Sequence, residues 1–176
     1  MILVYIGNGK GKTSACVGQA IRALGRDFEV FFVQFMKSGG VAGEQRLLAS
    51  LLGKNFYCGG KGFYRGREEE FATHRSAALE TLDWARERLL EPSQKKRPAG
   101  RMLVLDEALY ALNHGLLAED ELRGLMALCR GQDTHLVLSG RGLPDWLKAE
   151  ADLVSEILEV KHPLQTNGKA IPGIEF

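Results

Sequence analysis

The chain has 176 residues, 45% of them hydrophobic, enough for one compact domain with a buried core and too few for a second full domain. Its 23 basic and 22 acidic residues leave a formal charge of +1, so no general field attracts nucleic acid or an anionic membrane surface. Cys16, Cys58 and Cys129 are odd in number and form no C-x-x-C pair, which speaks against a disulfide framework or a zinc site.

The apolar opening to Ile6 is too short for a signal-peptide core, and no later stretch reaches the roughly 18 apolar residues of a membrane span. A soluble, unprocessed cytoplasmic protein is the expectation.

In chain order, Ile2 to Ile6 is a short apolar run that predicts a strand. Val17, Ala20, Ile21 and Leu24 follow at helical spacing, with Gly25 as the C′ residue. Val30 to Phe35 is too apolar to have a wet face and reads as a buried strand. Glycine then recurs between Lys37 and Arg67, interrupted by a possible helix from Glu44 to Leu52, so this stretch is a candidate for binding loops. The spacing of Phe71, Ala78, Leu82, Ala85 and Leu89 predicts one long amphipathic helix over Glu68 to Leu90. Beyond the solvated connector Pro92 to Gly100, strands are expected at Met102 to Leu105 and His135 to Ser139, with a helix at Glu119 to Cys129 between them. The tail from Lys161 reads as ordered loop. Strand and helix alternate throughout, which predicts an α/β fold, a mostly parallel sheet with helices on both faces.

Gly7-Asn8-Gly9-Lys10-Gly11-Lys12-Thr13 lies between strand and helix, where a Walker A phosphate loop belongs. Glycines let backbone N–H groups converge on phosphate, Lys12 neutralises charge and Thr13 is a candidate Mg²⁺ ligand. The usual spacing would put glycine at position 6, where Ile6 stands, so the loop is one residue short. Asp106-Glu107 ends a buried strand, the place of a Walker B carboxylate that holds magnesium. An acidic helix start is the alternative there.

With these motifs in place the chain resembles the P-loop corrinoid adenosyltransferases. The resemblance rests on the short G-N-G-K-G-K-T loop, Gln34-Phe35-x-Lys37, Gly43-Glu44, Gly62-Phe63, Val104 to Glu107, Leu138 to Arg141, Asp152 to Glu156, Lys161-His162-Pro163 and the ending Gly173 to Phe176. It implies a single RecA-like P-loop domain, a homodimer, and transfer of the 5′-deoxyadenosyl group of ATP to Co(I) of a reduced corrinoid. An electron donor such as a flavoprotein would supply the reductant.

In that picture the triphosphate lies in reversed polarity across Asn8 to Thr13, presenting the ribose C5′ to cobalt. Thr13 and Glu107, with Asp106 beside them, hold Mg²⁺; Arg22 reaches the ribose, and Arg141 lies near the phosphates. Lys37 and Glu44 belong to a loop that closes over ligand, although Ser38 replaces a glycine common in the family. A solvated helix arginine for Arg22, a loop salt bridge for Arg141 and a surface ion pair for Lys37 and Glu44 are the alternatives.

The family's aromatic Gly-Phe-Thr-Trp segment beneath the corrin ring corresponds to Gly62-Phe63-Tyr64-Arg65. Phe63 carries over and the tryptophan does not. A core phenylalanine is the alternative for Phe63, and packing is the expected role of His162, with a catalytic histidine as the alternative. Two rival functions are a nucleotide-hydrolysing switch, with Glu107 orienting water and Arg141 as an arginine finger, and a corrinoid carrier.

Overall fold

A computed structural model describes residues 1–40, 42–162 and 170–174. Six parallel strands form one sheet in the order β3-β2-β4-β5-β1-β6. They are β1 (Ile2–Ile6), β2 (Glu29–Gln34), β3 (Phe56–Cys58), β4 (Arg101–Asp106), β5 (Thr134–Gly140) and β6 (Leu153–Glu156). The helices are α1 (Lys12–Leu24), α2 (Gly43–Leu52), α3 (Glu68–Leu90), α4 (Ala108–Asn113), α5 (Glu119–Gly131) and α6 (Asp145–Glu150).

The central strands are apolar on both sides because both faces are covered. Phe31, Val33, Leu103, Leu105, Leu136 and Leu138 pack with α3, α4, α5 and α6 through Leu82, Leu109, Leu122 and Leu147. The alternate residues Val30, Phe32, Met102, Val104 and Val137 pack on the opposite face against Cys16 and Ala20 of α1 and Leu48 of α2. The period-two alternation of side chains along a strand therefore divides the core into two layers, as an α/β fold requires.

The long helix α3 opens on Glu68, Glu69 and Glu70, which suit the positive end of its dipole. At its other end the guanidinium of Arg101 donates to the carbonyls of Leu89 (2.8 Å), Arg88 (3.2 Å) and Glu91 (3.3 Å), closing groups that the helix itself cannot satisfy. Glu29, buried, pairs with the same guanidinium at 3.2 Å. This ties the start of β2 and β4 to the end of α3.

Several expectations need correction. The face of α1 turned to the sheet is Cys16, Ala20 and Ala23, while Ile21 is 41% exposed. Phe71, also placed on a buried stripe, is 38% exposed, and His74 and Ala77 are buried instead. Gly25 has φ −65°, right-handed, and the left-handed turn after α1 falls on Asp27 with φ 61°. Strands β3 and β6 and helices α4 and α6 were not anticipated. In the tail, Pro172 to Ile174 form a turn, whereas Pro163, Gly168 and the final Glu175-Phe176 lie outside the described residues.

Candidate active site

Parallel strands bring the ends of β1, β2, β4 and β5 to one edge of the sheet, where ligands of open α/β folds bind. The glycine-rich loop follows β1. Gly7 has φ 119°, a conformation that side chains resist, and a Cβ there would lie 2.2 Å from the Ile157 carbonyl oxygen. At Gly9 the same oxygen would stand 2.7 Å from a Cβ, and the Gly9 N–H donates to it at 3.1 Å. The segment following β6 thus presses on the loop and accounts for two of its glycines.

Helix α1 begins at Lys12 with no side-chain cap and no acidic residue in its first turn. Its first N–H groups are therefore left for an anion. The Lys12 ammonium is buried and donates to the Gly9 carbonyl at 3.0 Å. Next to it, the Thr13 hydroxyl lies 3.1 and 3.0 Å from the two carboxylate oxygens of Asp106.

Asp106 is saturated. Ser139 donates to its Oδ1 at 2.8 Å and Gln34 to its Oδ2 at 3.1 Å, while the Lys37 ammonium stands 3.7 Å away. Lys37 also donates to Thr13 Oγ1 at 3.1 Å and pairs with Glu44 at 2.6 Å. Burial pushes the Glu44 carboxyl up, but hydrogen bonds from Lys37 and its own backbone outweigh that and hold it below the ordinary value.

Glu107 is different. It takes the left-handed conformation, φ 62°, with its N–H donating to Ser139 Oγ at 2.9 Å. Such a backbone costs a β-carbon residue roughly 1–2 kcal/mol and marks a position held by its surroundings. Its Oε2 is buried without a hydrogen-bond partner among the described residues. Burial, aided by Asp106 and opposed by Lys12 and Arg141, pushes its carboxyl up to about 6.

A partnerless buried carboxylate oxygen that lines one cavity with a threonine hydroxyl suits a hard cation. Among the described residues no group of three His, Cys, Asp or Glu side chains could hold a metal ion. The residues present fit a magnesium ion that takes its remaining ligands from phosphate and water, not one caged by protein.

A cavity of about 630 Å³ is lined by Lys12, Thr13, Lys37, Glu44, Phe63 and Glu107, together with Lys10 and Gly11 of the loop. Phe63 is 47% exposed, with its ring edge-on to Tyr110 at 5.2 Å. It is a lining residue and not part of the core. Its neighbour Tyr64 is buried, against Phe71, His74 and His114.

Arg22 and Arg141 are exposed and are not among the cavity's described lining residues, and neither is Asn8. Lys161 and His162, with Leu158 and Val160, line an adjoining cavity of about 660 Å³ that shares Lys10, Gly11, Gly173 and Ile174 with the first. The sequence reading assigned no role to Gln34, Ser139 or Tyr110. The available signal was a polar residue closing an otherwise buried strand, at Gln34 of β2 and at Ser139 near the end of β5.

The fold and this edge define an α/β protein with a candidate ligand site at the carboxyl ends of its parallel strands. The family model of ATP:corrinoid adenosyltransferase BtuR/CobO/CobP matches residues 1–176. The chain is 33% identical over 180 residues to a corrinoid adenosyltransferase of Pseudomonas aeruginosa, an alignment covering 100% of this chain and 83% of that protein. It is likewise 33% identical over 179 residues to corrinoid adenosyltransferase CobA of Salmonella typhimurium, with 100% and 85% covered. To a corrinoid adenosyltransferase of Escherichia coli K12 it is 34% identical over 179 residues, again with 100% and 85% covered. The chain belongs to the ATP:corrinoid adenosyltransferase family, transferases that join the adenosyl group of ATP to a corrinoid.

Proposed function

We propose that ATP enters the Lys12 cavity with its triphosphate on residues 8–13 and its C5′ turned toward a Co(I) corrinoid seated over Phe63. The observation that carries this reading is the common lining: Lys12, Thr13 and Glu107 share one cavity with the exposed ring of Phe63. Charge for a polyphosphate and an apolar face for a macrocycle meet in one space.

In the reaction, Co(I) attacks C5′, the cobalt–carbon bond forms, and the C5′–oxygen bond breaks with its electron pair leaving on tripolyphosphate. Co(I) is already a strong nucleophile, so no protein base is needed and positioning and charge neutralisation carry the rate. Lys12 exchanges its bond to the Gly9 carbonyl for a phosphate oxygen. Thr13 and Glu107 are the residues that would hold Mg²⁺, with Asp106 orienting the Thr13 hydroxyl. The ion, when bound, neutralises charge on the leaving group.

Lys37 and Glu44, already paired at 2.6 Å, close the cavity over the nucleotide. Arg141 turns to the phosphates, a role supported by its electrostatic effect on Glu107. Arg22 turns to the ribose once ATP is bound. The chain acts as one domain in a cytoplasmic homodimer and receives its electron from a donor such as a flavoprotein. Exposed Leu47 and Leu51, one turn apart on α2, supply apolar surface for a second copy, and sedimentation tests that assembly. No described helix is long and apolar enough to cross a membrane.

The deciding experiment incubates the protein with ATP, Mg²⁺ and chemically reduced cobalamin, following the visible spectrum and the phosphate products. Tripolyphosphate formed only with Co(I) supports the reading. ADP and orthophosphate formed without corrinoid support a hydrolase, and absence of turnover with stable corrinoid binding supports a carrier. Parallel assays with cobalamin and an incomplete corrinoid acceptor identify the preferred substrate.

A further inference from the structure

We propose that Tyr110 is a positioning residue that sets the ring of Phe63 at the corrin side of the cavity, an inference that rests on the Phe63 role given above. The segment carrying Phe63 is glycine-rich and has no regular secondary structure, with left-handed Gly62 at φ 95° and Gly66 at φ 80°. A half-exposed ring on such a segment loses conformational freedom if it is to act as a fixed wedge. Something must restrain it.

Tyr110 does so by two contacts. Its hydroxyl donates to the Tyr64 carbonyl at 2.8 Å, fixing the backbone one residue beyond Phe63. Its ring meets Phe63 edge-on, centroids 5.2 Å apart at 83°, a favoured geometry for aromatic pairs. Tyr64, buried and packed on His74, anchors the same backbone from below.

Tyr110 is itself held firmly. Helix α4 starts directly after Glu107, and a Cβ on Gly140 would come within 2.5 Å of the Tyr110 nitrogen, so α4 lies close against the end of β5. One short helix therefore connects the carboxylate on the phosphate side of the cavity with the aromatic ring on the other. The distance between the two halves of the site is set by α4.

The test compares Tyr110→Phe, which keeps the ring and removes the tether, with Tyr110→Leu, which also removes the edge contact. Two readouts are taken: backbone hydrogen exchange at residues 62–66 in the free protein, and the four-coordinate Co(II) electron-spin signal with ATP and cob(II)alamin bound. Tyr110→Phe should speed exchange at 62–66 by about 5-fold, the effect of one lost neutral hydrogen bond, and lower the four-coordinate signal in parallel. Tyr110→Leu should lower the signal further. Turnover that requires one-electron reduction of bound Co(II) by reduced flavin should fall more than turnover with Co(I) supplied.

Unchanged exchange in Tyr110→Phe overturns the tether. Faster exchange with a full four-coordinate signal overturns the positioning role. Phe63→Ala serves as the control that separates the two readings: a full signal there removes the wedge itself. A reduced signal in the Tyr110 variants but not in Phe63→Ala shows that Tyr110 acts by another route, and overturns the inference.

Discussion

The Thr13 hydroxyl stands 3.0 Å from Oδ2 of Asp106, bridging 93 positions of sequence. Because Lys12 precedes one and Glu107 follows the other, this bond helps bring a buried ammonium and a carboxylate with a partnerless oxygen into one cavity. On the proposed mechanism the two serve different ends, and their removal should have different signatures.

On the proposed mechanism Lys12→Ala removes the buried charge that faces the leaving group, and kcat/KM should fall by at least about 10²-fold, the scale seen when one electrostatic contact to developing charge is lost. Stability should change little, since a single neutral acceptor, the Gly9 carbonyl, loses its partner. Steady-state kinetics beside a thermal melt checks both. Near wild-type turnover removes Lys12 from the mechanism.

Glu107→Gln should raise the Mg²⁺ concentration needed for half-maximal activity. It has a second signature in the metal-free protein. The folded carboxyl titrates at about 6 against an ordinary 4.5, so between these values the folded state binds more protons than the unfolded one. Stability therefore rises as pH falls through that window, and the ionised, buried carboxylate costs at most about 2 kcal/mol above it. With EDTA present, Glu107→Gln should be the more stable protein at pH 7.5, and the difference should vanish near pH 4.5. Parallel urea-unfolding curves across the window would contradict this assignment.

Phe63→Ala should keep ATP affinity and cost well under the roughly 3–5 kcal/mol of a core truncation, because the ring is 47% exposed. Activity that depends on reducing bound Co(II) should be mostly lost, with a smaller loss when Co(I) is supplied. An unaltered four-coordinate Co(II) signal, or a collapsed melting temperature, excludes the wedge.

Gly9→Ala tests the loop's packing. A Cβ there would sit 2.7 Å from both the Ile157 oxygen and the Leu158 carbonyl carbon, forcing the segment after β6 to move. Overpacking of this kind costs roughly 1–3 kcal/mol, and ATP affinity should fall with it. Gly131→Ala at the end of α5, where a Cβ meets nothing within 4 Å, is the matched control and should be neutral or slightly stabilising. Calorimetric titration with ATP distinguishes the two.

The fold class and the bounds of β1 and α3 were legible, Ile2–Ile6 as an apolar run ended by glycine and Glu68–Leu90 from the spacing of Ala78, Leu82, Ala85 and Leu89 and the proline that follows. Strand β3 was not, because Phe56–Cys58 is only three residues long and half-buried, with no alternation to read. Strand β6 has exposed Leu153 and Val154 on an edge, so its pattern resembles a loop. Helix α4 was missed because Ala108 to Asn113 is too short to show a helical period after an apolar strand.

Within the site, the meeting of Lys12, Thr13 and Glu107 in one cavity was readable from residue type and context. The saturation of Asp106 by Gln34 and Ser139 was not, because it depends on which strands lie side by side. The face of α1 was misjudged for a related reason: small residues, Cys16, Ala20 and Ala23, let the helix approach the sheet, so hydrophobic size did not mark the buried side.

Strand β1 sits between β5 and β6, and the Ile157 carbonyl that closes the glycine loop comes just after β6. On the ribosome, the first strand of this chain emerges without either of its neighbours and waits for nearly all the remaining chain. Such long-range pairing is slow and leaves an apolar strand exposed meanwhile. The glycine loop, although written at the start of the sequence, therefore completes its packing only when the segment after β6 has docked.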